Sequence, residues 1–455
     1  MTSNYFSSQK REDFQAALQR RTLVGLIWQR LFFAANAFAL VILASVAFNI
    51  ANGAFGYVVF VYDTLPEQLS ERPINELSEP ELVDLLVQKV PRRLRVILRD
   101  TLSQVPNNEF TQAPISRVLA GKVYDPEKAT LTVNELTEAQ IALILSDNLT
   151  QEEFARVIRQ QIIKPNIAQS WSLVDSLVNR AEIERIAAEK FPQGDLEFYS
   201  WISWEFVTSS VSSNATTAGL RTALLGTLWI MLVVIVASFP VGLAAAIYLQ
   251  EYADQGSRVT KIIETNIRNL AGVPSIIYGM LGLAVFARTF EFYTSGRFVG
   301  FTDTNGRTVV SAGLTLALLI LPTIIINAKE ALKAVPSSLR EASYGMGATK
   351  WQTVTGVVLP NAIGGVLTGI ILAVSRAIGE TAPLIVVGAS TFIGIDPNGP
   401  FSKFTVVPIQ IYQWTSRPEL EFKNAAAAAI IVLVSVLLLL NSTAIYLRNR
   451  YSMRI

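Results

Sequence analysis

Apolar residues in this chain gather into a few long blocks, running approximately over 31–50, 217–249, 267–287, 311–327, 362–390 and 425–447. About 20 apolar helical residues cross the hydrocarbon of a bilayer, so the pattern predicts six membrane helices. Several blocks are longer than that and must tilt, break or extend into solvent. Asn52-Gly53 and Gly56 interrupt the first block before Tyr57-Val58-Val59-Phe60-Val61. That short run reads as an irregular extension of the helix, or a segment packed beside it, which carries the first membrane helix over 31–62.

Between the first two blocks the pattern changes. Residues 63–205 are polar, with apolar positions at helical spacing in Ser78–Val87 and Thr137–Leu145. Ser78 with Glu81, and Thr137 with Gln140, have the spacing of a capping box, and Pro80 falls in a first turn where its missing N–H costs little. The stretch is expected to be a small, mostly helical domain whose apolar stripes form its core, and it carries no nucleotide, metal or catalytic motif. Trp201-Ile202-Ser203-Trp204 closes it and reads as an aromatic belt before the next span. The chain thus divides into a polar arm (1–30), the first helix (31–62), the insertion (63–205) and a membrane core (206–455) that contains a polar loop at 328–360.

Composition agrees with a membrane protein: 51% of residues are hydrophobic, 16% are charged, and the mean hydropathy is +0.38. Soluble domains carry about 25% charged residues. There is no Cys and no His, which excludes disulfides and thiol or imidazole catalysis and argues against a structural zinc. The basic arm lacks a small-residue cleavage site, so the first block is expected to stay in place as a membrane helix. Lys and Arg concentrate in the arm, in 250–268, in 328–360 and in the tail, which puts these inside and both termini in the cytoplasm. Residues 63–205, 288–310 and 391–424 then lie outside.

Two polar constellations stand out. Arg376 and Glu380 lie four apart within the fifth block, hence on one helix face. An ionised group at the centre of a span costs at least about 2.5–3.5 kcal/mol, so such a pair either lines a path or locks helices together. Arg presents a planar set of donors to an oxyanion. The second constellation is Glu341-Ala342-Ser343-Tyr344-Gly345-Met346-Gly347, followed by Leu359-Pro360. The Glu-Ala-Ser run suits a first helical turn, Gly347 removes a side chain, Lys350 and Trp351 would face a partner, and Pro360 suits the start of the next helix.

That second stretch resembles the cytoplasmic coupling loop of ABC importer permeases, with Ser343 in place of an Ala and Val357 in place of an Ile. Arg376-Ala377-Ile378-Gly379-Glu380-Thr381-Ala382-Pro383 and Leu270-Ala271-Gly272-Val273-Pro274-Ser275-Ile276-Ile277-Tyr278-Gly279 narrow the likeness to the permeases of bacterial phosphate importers, A-type, over about 206–455. It does not cover 63–205. The resemblance implies an all-α, six-span, type I permease fold with a mostly helical extracytoplasmic insertion between spans 1 and 2, in the bacterial inner membrane. It implies a translocation path at Arg376, Glu380, Thr381, Ser275 and Tyr278, and ATPase coupling at Arg340, Glu341, Ala342, Gly347, Leu359 and Pro360. Implied partners are a homologous C-type permease, two cytoplasmic ATP-binding subunits, an external phosphate-binding protein and membrane lipid, with no nucleic acid. No cofactor is expected on this chain, since ATP and Mg belong to the ATPase and no G-x-x-x-x-G-K-[ST] is present. The alternatives are a permease for molybdate or sulfate, or a stand-alone secondary transporter.

Overall fold

The computed structural model describes the chain apart from residues 1, 63, 65–67, 71, 104, 106–109, 164, 213, 301–304, 390–392, 394–395 and 452–455. The first apolar block is helix α1 (Thr2–Ala54), and it ends where β1 (Phe55–Tyr62) begins. This corrects the reading of 31–62 as one helix. The unbroken run of β-branched and aromatic side chains at 57–61 favours extended backbone. Gly56 also runs so close to the Trp171 carbonyl that a Cβ would sit 2.0 Å from it.

β1 is the central strand of a three-stranded antiparallel sheet, with β2 (Pro165–Ser170) and β3 (Asp195–Ser200) on its edges. Val58 faces Ser170 and Tyr57 faces Phe198. The insertion is therefore not helical throughout. Asn214 Nδ2 donates to the Pro165 carbonyl (3.1 Å), and Asn424 Nδ2 donates to Ser170 Oγ (3.2 Å), which seats the sheet on the segment ahead of the second membrane helix and on the start of the last one.

Between β1 and β2 lies a helical lobe with its own buried core, including Leu82, Leu86, Leu94, Ile141, Leu145 and Phe154. Both expected capping boxes form: Ser78 N donates to Glu81 Oε2 (2.8 Å) and Thr137 N to Gln140 Oε1 (2.9 Å). Two more appear at Thr132/Glu135 and Thr150/Glu153. The hydroxyl and amide of Ser78 hold the Glu81 carboxyl below the usual glutamate range, and the Thr132 amide does the same for Glu135. These caps weaken as pH falls through that depressed range.

The lobe also contains a repeat. Ile74-Asn75-Glu76-Leu77-Ser78-Glu79-Pro80-Glu81-Leu82 is echoed by Val133-Asn134-Glu135-Leu136-Thr137-Glu138-Ala139-Gln140-Ile141. Each copy forms a 3-10 turn, a capping box and an 11-residue helix, Glu79–Lys89 and Glu138–Asn148. Each is followed by a second helix, Leu94–Leu102 and Gln151–Ile158, and equivalent apolar positions fill the shared core.

Trp201 does not belong to an aromatic belt. It is buried with Phe206 and Trp414, whereas Trp204 is exposed.

The membrane core continues with α2 (Arg221–Ile247), α3 (Arg258–Ala271), α4 (Ser275–Gly282), α5 (Val309–Lys333), α6 (Ser337–Gly345), α7 (Lys350–Thr353), α8 (Leu359–Gly379), α9 (Ala382–Val387), α10 (Val407–Thr415) and α11 (Leu420–Tyr451). Among the described residues five helices are long and apolar enough to span, and a bent pair makes up to six. That pair is α3 with α4 and its continuation to Thr289, bent by 99°. The third block is thus not one straight span. Pro274 lacks an N–H and disfavours helical backbone at Val273, and α3 carries Arg258, Lys261, Glu264 and Arg268. The fifth block breaks too, because the Pro383 ring excludes the Gly379 carbonyl from a helical bond, so α8 stops and α9 restarts.

Phe154 is fully buried in the lobe, so Phe154→Ala should cost about 3–5 kcal/mol there. Amide hydrogen exchange over 138–158 in the intact protein would show this as lost protection. Unchanged protection would mean that the lobe core is not a cooperative unit.

Candidate functional site

Two close approaches set the relative heights of the helices. A Cβ on Gly282 of α4 would overlap Thr315 of α5, and one on Gly369 of α8 would lie 2.5 Å from Asn327 of α5. At 1.5 Å per residue, α5 is about 37 Å long. Counting from the contacts, Tyr278 lies about 15 Å, Arg376 about 16 Å and Ser275 about 20 Å along it from Val309. These three residues, on two helices, therefore share mid-depth.

Arg376 stands in the last turn of α8, and its Nε is 3.4 Å from Glu380 Oε1, just beyond the helix end. The Arg376 side chain is 52% exposed and that of Glu380 19%. The guanidinium thus has a carboxylate partner in its own chain and remains open on its other side. Thr381 Oγ1 donates to the Gly379 carbonyl at the long distance of 3.5 Å, in the non-helical step between α8 and α9. Irregular backbone at membrane depth is tolerated where protein or a water-filled cavity covers it. Ser275 is half-buried at the first position of α4. Tyr278 is buried, and its hydroxyl donates to the Leu270 carbonyl (2.8 Å). That bond satisfies a carbonyl at the end of α3 and braces the bend.

At the opposite end of α5 from Val309, α6 and α7 form a hairpin. Glu341 is not in a first turn: α6 begins at Ser337 behind Pro336, whose fixed φ suits the start of a helix. Glu341 and Ala342 are exposed mid-helix. Gly347 takes φ +84° at the turn, a conformation that costs a side-chain-bearing residue about 1–2 kcal/mol. Thr349 caps α7 through Gln352, and Ser343 and Thr353 share a hydroxyl hydrogen bond of 2.9 Å that closes the hairpin. Pro360 does not start a helix from a loop either. The helical run begins at Lys350, and a π turn at Val354–Val358 precedes Leu359 and Pro360, widening the helix where the proline ring could not meet a regular turn. Tyr344, Met346 and Trp351 are exposed at the tip, Met346 at 89%.

Arg340 points inward rather than outward. Its Nη2 is 2.8 Å from Glu251 Oε1 and from the Leu332 carbonyl, and its Nη1 is 2.6 Å from the Val335 carbonyl. The two side chains are 16% and 6% exposed. Lys350 Nζ sits 5.1 Å over the Tyr252 ring. The hairpin is thus bound to residues 251–252, just past the end of α2. Nearby, Lys329 of α5 pairs with Glu264 of α3. Sequence reasoning found Arg340 but not Glu251 or Glu264, because no spacing rule links residues so far apart in the chain.

The family model of the binding-protein-dependent transport system inner membrane component matches residues 238–452, after the insertion. Phosphate transport system permease protein PstA 1 of Mycobacterium tuberculosis is 33% identical over 238 residues, 51% of this chain and 73% of that protein. Phosphate transport system permease protein PstA of Yersinia pestis is 31% identical over 242 residues, 52% of this chain and 75% of that protein. Among solved structures, a chain of the inward-facing MetNI methionine ABC transporter is 18% identical with a TM-score of 0.39, over 51% of this chain and 98% of that one.

Glu251→Ala would leave the Arg340 guanidinium without its carboxylate, at a cost of about 3 kcal/mol. The Met346 and Gly347 amides, which donate to Ala342 and Tyr344, should then exchange roughly a hundredfold faster. Unchanged exchange would mean that the pair does not hold the hairpin.

Proposed function

The chain belongs to the family of phosphate transport system permeases, and on that premise we propose that Arg376 and Glu380 form the anion-contacting step of its path. It is a transmembrane permease subunit of an ATP-driven phosphate importer, and it performs no catalytic step itself. The observation that carries the reading is the mid-depth Arg376, half open to its surroundings and tied on one side to Glu380. Its open side faces the path, and a second, homologous permease covers that side. Arg376 binds phosphate oxygens transiently while Glu380 keeps the net charge low enough for the anion to leave. Ser275 and Thr381 supply further hydroxyls at the breaks, and Tyr278 positions α4.

The importer's ATPase subunits work from the hairpin end, and its binding protein delivers phosphate at the sheet end. The hairpin end is cytoplasmic, with both chain termini on that side, as the Lys and Arg distribution supports. The exposed Tyr344, Met346 and Trp351 seat in a groove of the ATPase, and ATP and Mg act there. When ATP draws the two hairpins of the assembly together, the Arg340–Glu251 strut passes the movement to α2. That rocking alternates access to the mid-depth pair.

Arg376→Gln should reduce ATP-dependent phosphate uptake by the full complex in vesicles by about tenfold or more, the scale of one lost charge-assisted contact. Complex assembly and ATP hydrolysis are measured alongside. Undiminished uptake would make the pair structural. Wild-type transport of molybdate or sulfate in place of phosphate would overturn the substrate.

A further inference from the structure

Several arginines sit toward the sheet end of the core, and most are engaged. Arg221 pairs with Asp396 (2.7 Å), Arg297 pairs with Glu291 (3.1 Å), and Arg417 stacks 4.0 Å over the Phe422 ring. Arg307, two residues before α5, differs. It is exposed, and among the described residues it makes no hydrogen bond or ion pair. Its stem nevertheless has a fixed seat. Gly388, which ends α9 with φ +112°, would place a Cβ 2.5 Å from Arg307 Cδ and 3.0 Å from its Nε. The glycine leaves the space that the arginine stem fills.

The position of that seat gives it meaning. α9 starts just after Glu380 and ends at Gly388, so its six residues, about 9 Å of rise, lead from the Glu380 end of the pair toward Arg307, and the count along α5 puts Arg376 itself roughly 19 Å from Arg307. The same rim holds a second arginine. Gly306 (φ +71°) packs on the Ala287 carbonyl, which brings the segment of exposed Arg288 beside it. The acid touching Gly306 is Glu291, and it is already paired with Arg297. Cations with no acid paired to them among the described residues of one rim attract a multiply charged oxyanion.

We propose that Arg307 is an outer anion station, which takes hydrogen phosphate at the sheet end and hands it along α9 to Arg376. This rests on the reading of Arg376 as part of the path. It adds a residue outside every motif that suggested that reading.

The test is transport by the full complex in vesicles, scored as phosphate moved per ATP hydrolysed in the presence of loaded binding protein. Arg307→Gln should lower that ratio by about tenfold, as loss of a charge-assisted contact to the anion would, and Arg307→Lys should restore most of it. An unchanged ratio in Arg307→Gln overturns the proposal, as does an Arg307→Lys variant no better than Gln. A parallel fall in transport and hydrolysis with the ratio intact also overturns it, and puts Arg307 on the docking surface for the binding protein. These outcomes are read on whichever oxyanion the wild type carries. A wild type that moves an anion other than phosphate therefore corrects the substrate while Arg307 is still tested, and an Arg376→Gln variant with full uptake removes the path reading separately.

Discussion

A charge held midway through a bilayer must be answered by another charge, by water or by protein. Arg376 meets that condition only partly within its own chain, through Glu380 at 3.4 Å. The surrounding architecture follows from the same demand. α8 ends immediately beyond the arginine, α9 restarts after two non-helical residues, and α4 begins at the same depth behind its own break. Polar backbone, a carboxylate and hydroxyls are thereby collected at the depth where hydrocarbon supplies none of them.

The second fixed point lies at the hairpin end. Arg340 joins three segments: α6, which carries it; the end of α5, through the Leu332 and Val335 carbonyls; and Glu251, just past α2. α2 and α5 also pack along much of their length, through Gly242 against Ile324 and Gly313 against Val233. A push on the hairpin is therefore delivered to a pair of long, tightly packed helices rather than dissipated in a loop. The Lys329–Glu264 pair extends the same connection to α3.

How legible this was from sequence depended on the range of each signal. Span number, the capping boxes at Ser78 and Thr137, and the placement of Arg376 and Glu380 one turn apart are local, and periodicity reveals them. The strand at 55–62 was missed because its apolar run adjoins a membrane helix, and the partners that make it a strand lie more than a hundred residues away. The inward turn of Arg340 was hidden likewise, since Glu251 is 89 positions earlier. Trp201 followed an interfacial pattern, yet Trp414 takes it into a core. The breaks at Pro274 and Pro383 were marked by their prolines, but the 99° bend depends on tertiary packing.

The junction of α1 and β1 has a mechanical consequence. The helix ends at Ala54 and the central strand starts at Phe55, so no linker separates them. The sheet is also fastened to Asn214 and Asn424. Without a hinge at that junction, the central strand leans with the first helix instead of swinging free of it. A tilt of that helix is therefore felt at Asn214 and Asn424, beside the second and last membrane helices. Conversely, anything that grips the sheet sets the inclination of the helix.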